Sequence, residues 1–82
     1  MLQLAPSAVR VYPNPAQGTV QVELPEAQPA QFQLLDVSAR LVRMGQLPAN
    51  GRLSLQGVPA GMYWLTLHAG TEVYRTRLVV RQ

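Results

Sequence analysis

Apolar and polar residues alternate along most of this chain, and a period of two marks strands with one buried face. Val9-Arg10-Val11-Tyr12 opens the pattern and stops at Pro13-Asn14-Pro15. Val20, Val22 and Leu24 alternate with Gln21 and Glu23 until Pro25. Phe32 and Leu34 alternate with Gln31 and Gln33 toward Asp36. Leu41 to Met44 forms a fourth strand, and Leu53 with Leu55 a short fifth. Met62 to His68 is the sixth and most aromatic, and Ala69-Gly70-Thr71 turns it into a seventh, Glu72 to Val80. Helical spacing never persists beyond a few residues. Seven short strands with turn signals about every 8 to 12 residues predict an all-β, antiparallel β-sandwich.

The alternation also assigns faces. Tyr63, Leu65 and Leu67 are expected in the core, with Met62, Trp64 and Thr66 on the opposite face. On the last strand Tyr74, Thr76, Leu78 and Val80 point one way, and Val73, Arg75, Arg77, Val79 and Arg81 the other. Trp64 is then either covered by a neighbouring loop or exposed as an anchor for a partner.

The turns carry more information than the strands. Pro13 and Pro15 cannot donate to a ladder, so the first strand must leave its sheet there. They also push Tyr12 and Asn14 away from helical backbone. Asn14 can hydrogen-bond local backbone, and Gly18 can take a positive φ. The segment reads first as a rigid corner between sheets. In Val58-Pro59-Ala60-Gly61-Met62-Tyr63, proline sets a second turn and Gly61 supplies its permissive position. Tyr63 stands two residues before Leu65, the spacing of the tyrosine corner of immunoglobulin-like sandwiches. Asp36 and Ser38 can satisfy the amides of the turn leading to Arg40.

At 82 residues the chain suits one small domain, which buries only about 60% of the surface its unfolded form exposes. It has no cysteine, and His68 stands alone as a surface residue at a strand end, so no metal or cofactor is expected. Ordinary packing must hold the fold, and a 48% hydrophobic composition can supply it. The formal net charge is +3, the balance of seven arginines against four carboxylates. Only Arg75, Arg77 and Arg81 gather near one end, too thin a footprint for nucleic acid. No stretch approaches the roughly 18 apolar residues of a spanning helix, so no membrane insertion is expected. Residues 1–6 lack the basic and apolar regions of a signal peptide. An enzyme is not expected either. There is no Gly-x-Ser-x-Gly elbow, and the carboxylates Glu23, Glu26, Asp36 and Glu72 fall on separate strands or loops.

In order, Val11-Tyr12-Pro13-Asn14-Pro15, Leu34-Leu35-Asp36 with Arg40-Leu41-Val42, Gly57-Val58-Pro59-Ala60-Gly61-Met62-Tyr63-Trp64-Leu65, and Tyr74 with Arg77-Leu78-Val79-Val80 form a pattern. It resembles the type A C-terminal sorting domain of the type IX (Por) secretion system of Bacteroidota, over Val9 to Arg81. The resemblance implies a seven-stranded immunoglobulin-like sandwich following an N-terminal cargo. It also implies export through the periplasm and the outer-membrane translocon to the cell surface or medium. The family's partners are translocon and shuttle components and a sortase-like surface protease, which cleaves the domain off. On this basis residues 1–8 are a linker remnant and residues 9–82 the sorting domain.

One position departs from the family, which commonly has glycine where this chain has Ala39. A left-handed alanine would cost about 1–2 kcal/mol, so either the turn differs or Ser38 takes that position.

The terminal hairpin, Met62 to Arg81, is the expected recognition surface. Its candidate contacts are Trp64, Arg75, Arg77, Leu78, Val79, Val80 and Arg81, with the last strand offering edge hydrogen bonds to a partner strand. Pro13, Asn14, Pro15, Gly18, Asp36, Arg40, Pro59, Gly61 and Tyr63 are read as structural turn residues. The alternative reading is an adhesive or carbohydrate-binding immunoglobulin-like module that uses Trp64 and the tyrosines.

Overall fold

The computed structural model describes residues 9–25 and 28–81. The expected linker, residues 1–8, lies outside them. The described residues form seven strands and no helix: β1 Arg10–Gln17, β2 Thr19–Glu23, β3 Gln31–Leu35, β4 Leu41–Gln46, β5 Arg52–Ser54, β6 Gly61–Ala69 and β7 Glu72–Val80. All seven expected strands are present, with ends moved by a few residues. The strand order is β4-β3-β6-β7-β1-β2-β5.

β1 belongs to two sheets, and this makes the order a sandwich. Its first half pairs antiparallel with β2, Arg10 opposite Glu23 and Tyr12 opposite Gln21. Its second half pairs with β7 at Ala16 and Val80, in parallel. One layer is therefore β4-β3-β6-β7 with the end of β1, and the other is the start of β1 with β2 and β5. The chain does leave its first sheet at Pro13-Asn14-Pro15, but the strand does not stop there. It continues into the facing sheet, and because it keeps its direction it meets β7 in parallel.

Asn14 makes that crossing possible. Prolines on both sides have no N–H to give to a neighbour, and both X–Pro peptides are cis. The Asn14 side-chain amide takes the place of a backbone rung. Its Nδ2 donates to the Arg77 carbonyl at 3.0 Å, and its Oδ1 accepts from the Val79 N–H at 3.0 Å. Two residues on, the Arg81 N–H donates to the Ala16 carbonyl at 2.9 Å.

The core lies between the layers. Val20, Val22 and Leu53 from one sheet meet Phe32, Leu34, Leu65, Leu67, Tyr74 and Leu78 from the other in a single buried cluster. Each such side chain contributes about 1.5–3 kcal/mol through burial. Tyr63 is buried too, and its hydroxyl donates to the Pro59 carbonyl, so the expected tyrosine corner is present. Leu65, completely buried, fills the position that holds a disulfide cysteine in antibody domains.

On the open side of the sandwich, Arg43 of β4 donates to the carbonyls of Ser54 (3.3 Å) and Gln56 (2.7 Å). This clamp ties one outer strand to the chain leaving the other. Strict alternation already places Arg43 on the inner face, which was the available signal for it.

The Asn14 rung is testable by urea denaturation. We expect Asn14→Ala to lower stability by about 1–2 kcal/mol, the value of two partly exposed hydrogen bonds. Asn14→Asp should cost at least as much, because it keeps the acceptor but turns a carboxylate oxygen toward the Arg77 carbonyl.

Candidate functional site: the outer face of the terminal hairpin

β6 and β7 pair without a break from Gly61–Val80 to Ala69–Glu72. Side chains opposite one another share a face, so the outward rows are Met62 with Val79, Trp64 with Arg77, Thr66 with Arg75, and His68 with Val73. β3 extends these rows, Leu35 lying beside Trp64 and Gln33 beside Thr66. β4 adds Leu41 and Met44.

Trp64 sits at the centre, half-buried. The Arg75 guanidinium lies over its ring, 4.8 Å from the centroid. A diagonal neighbour on the adjacent strand therefore covers the indole, and no loop is involved. Such a stack is worth about 0.5–1 kcal/mol at an exposed site, and it holds the guanidinium in place. Among the described residues, Arg75, Arg77 and Arg81 form no ion pair, and Glu72 at the hairpin end is the one carboxylate on these two strands. His68 is exposed, as expected.

Two parts of the sequence reading need correction. Leu78 and Val80 are buried in the core, so a partner cannot touch them while the sandwich is intact. β7 is also not a free edge over its last residues, because Asn14 and Ala16 occupy its outward backbone groups from Arg77 onward. The candidate contacts that stay accessible are Trp64, Arg75, Arg77, Val79 and Arg81. Leu35, Leu41 and Met44 continue the same surface and were not singled out from the sequence. Their signal was the adjacent pair Leu34-Leu35, where one leucine must leave the core face.

The turn residues hold this face from its ends. Gly18 adopts φ 82° and its carbonyl accepts from Leu55 N–H. Between β3 and β4, Asp36 Oδ1 accepts from the amides of Ser38 (2.8 Å) and Arg40 (2.9 Å), and Oδ2 accepts from Arg40 Nε at 3.3 Å. Ala39 itself takes the left-handed conformation, φ 66°. Ser38 does not take that position: Ala39 does, in a conformation that glycine adopts without strain. The Arg40 amide, then the Ser38 amide and the Arg40 side chain, hold the Asp36 carboxyl below the usual carboxylate range.

A separate cleft of about 670 Å³ lies between the ends of β2 and β4, lined by Gln21, Leu24, Gln28, Gln46, Leu47 and Asn50 among others. None of the candidate contacts or turn residues lines it, although Glu23, one of the carboxylates weighed for catalysis, does. Among the described residues no group of His, Asp or Glu is arranged to hold a metal ion.

Sheet order, tyrosine corner and sheet-switching first strand define an immunoglobulin-like β-sandwich module. The family model for the secretion system C-terminal sorting domain matches residues 10–81, and the chain belongs to that family. Its role is that of a sorting signal for type IX secretion, and the family is not one of enzymes. No curated protein matches the chain.

Two outcomes follow for the Asp36 turn. Ala39→Gly should raise stability by about 0.5–1 kcal/mol, the relief of left-handed strain less the extra chain entropy of glycine. The lowered Asp36 pKa stabilises the fold fully above the unfolded-state value of about 3.9, and this is lost as pH falls through the folded value. Urea midpoints measured from pH 6 down to pH 2 should therefore fall less steeply in Asp36→Asn than in the parent.

Proposed function

We propose that the export machinery reads this domain, as a folded label, through the outer face of β6 and β7. Trp64 and Arg75 form a fixed aromatic–cationic centre, flanked by Arg77, Val79 and Arg81. The observation that carries this reading is the row of arginines, without ion partners among the described residues, beside a stacked tryptophan. An exposed guanidinium held by stacking loses little freedom when a carboxylate partner arrives. The apolar residues Met62, Leu35 and Leu41 supply contact area around it.

In this reading the domain carries an N-terminal cargo through the periplasm to the outer-membrane translocon. A sortase-like surface protease then cuts ahead of the sandwich and leaves the cargo at the cell surface. The domain is the substrate of that protease. A carbohydrate-binding module would need an open aromatic face, and Arg75 lies over that of Trp64.

The test is a periplasm-directed fluorescent protein carrying residues 1–82 at its C-terminus in a type IX-competent bacterium. The parent fusion should reach the surface or medium only when the translocon is intact. Arg75→Glu with Arg77→Glu, both outward-facing, should leave the domain folded by circular dichroism and reduce export about tenfold or more. Normal export of that folded double variant would overturn the proposal. Truncation after Arg77 is a poor test, because it removes Leu78 and Val80 from the core.

A further inference from the structure

β4 ends its sheet, and among the described residues no strand pairs with its outer side. The ladder fixes which of its backbone groups face outward. The Leu47 N–H donates to the Ala30 carbonyl at 2.8 Å, which makes those two residues a hydrogen-bonded pair. Pairs alternate in an antiparallel ladder. Gly45 and Arg43, opposite Phe32 and Leu34, therefore bond to β3, whereas Met44 and Gln46 aim their N–H and C=O groups away from it.

Edges of this kind are normally guarded by lysine, proline or an inward-pointing charge. β4 has neither lysine nor proline. Its inward charge, Arg43, is drawn to the carbonyls of Ser54 and Gln56 on the facing layer. A register shift next to Leu35 irregularises only the Leu41 end. Leu41, Val42 and Met44 are exposed, at 51%, 38% and 59%.

We propose that the β4 edge receives an extended polypeptide segment with carboxylates on one face, added as a further strand. Charge selects the occupant. Among the described residues Arg43 has no carboxylate partner, and Asp36, at the other end of the strand, is already paired with Arg40. A second copy of the chain would bring a second Arg43 and no free carboxylate to the junction, and like charges across a strand pair are destabilising. The pleat sets the pattern of the incoming strand. Residues on the side of Met44 meet an apolar surface, and those on the side of Arg43 meet its guanidinium, so apolar residues alternate with acidic ones. This inference does not depend on the reading of the terminal hairpin.

The experiment uses the full 82-residue chain and two fluorescein-labelled peptides, one alternating valine with glutamate and one alternating valine with lysine. Fluorescence anisotropy should show the glutamate peptide binding at least about tenfold more tightly than the lysine peptide, with the difference shrinking in salt. Bound peptide should slow amide exchange at Met44 and Gln46 by about tenfold or more and leave Arg43 and Gly45 unchanged. Met44→Pro, which removes an N–H that no ladder uses, should abolish binding. Met44→Glu, at an exposed position, should weaken it about tenfold and guards against misfolding of the proline variant. Equal affinity for the two peptides, or no binding of either at millimolar concentration, would overturn the proposal. So would sedimentation showing a dimer that Met44→Pro dissolves, which would give the edge to a second copy.

Discussion

Two facing sheets share a core, but the core alone does not set how the layers are joined. In this domain the junction is a single strand interrupted by two prolines, and the way it is bridged anchors the end of the terminal hairpin. Pro13 and Pro15 cannot supply the donors that a sheet neighbour needs. The Asn14 side-chain amide has the same donor–acceptor pair as a peptide bond, and it bonds to the Arg77 carbonyl and the Val79 N–H. Those two contacts fix the last residues of β7 against β1. The register of β7 in turn places Arg75 and Arg77 beside Trp64.

Local chemistry was legible and long-range pairing was not. Alternation located all seven strands and the buried faces of β6 and β7, because a half-buried strand has no other way to be amphipathic. The tyrosine corner and the Asp36 turn were readable for the same reason, since their hydrogen bonds close within four residues. The partners of Asn14 lie 63 and 65 residues away, and no local pattern names them. The same gap made β7 look like an edge. Chain order suggests that the last strand ends a sheet, whereas the first strand returns beside it, and the strand order ends on β4 and β5. Leu78 and Val80 carried two incompatible readings, core face and contact surface. Burial in so small a domain decides between them, because few other residues can fill the centre.

Ala39 shows how a turn can override a residue's own preference. A left-handed alanine is unfavourable by about 1–2 kcal/mol. The Asp36 carboxylate accepts three hydrogen bonds across the turn, two of them from backbone amides. Charge-assisted bonds of this kind are about twice as strong as neutral ones. They fix the backbone on both sides of Ala39 and leave it no other conformation. The aspartate, more than the residue in the left-handed position, therefore determines this turn.

The distribution of the few carboxylates gives the surface its polarity. Glu23 accepts from the Tyr12 hydroxyl, which raises the tyrosine pKa, and it pairs with Arg10. Asp36 is committed to its own turn and to Arg40. Both acids are thus paired with an arginine of their own neighbourhood, and among the strands of the terminal hairpin Glu72 is the one carboxylate. The arginines of β7 stand on a rigid strand whose other face is core. A domain of this size has little stability to spare for holding flexible cations in place. Packing one guanidinium on an indole and spacing the next by the pleat achieves it without an acidic partner inside the fold. A net charge of +3 then becomes a directed cationic face, suited to being recognised by a larger assembly.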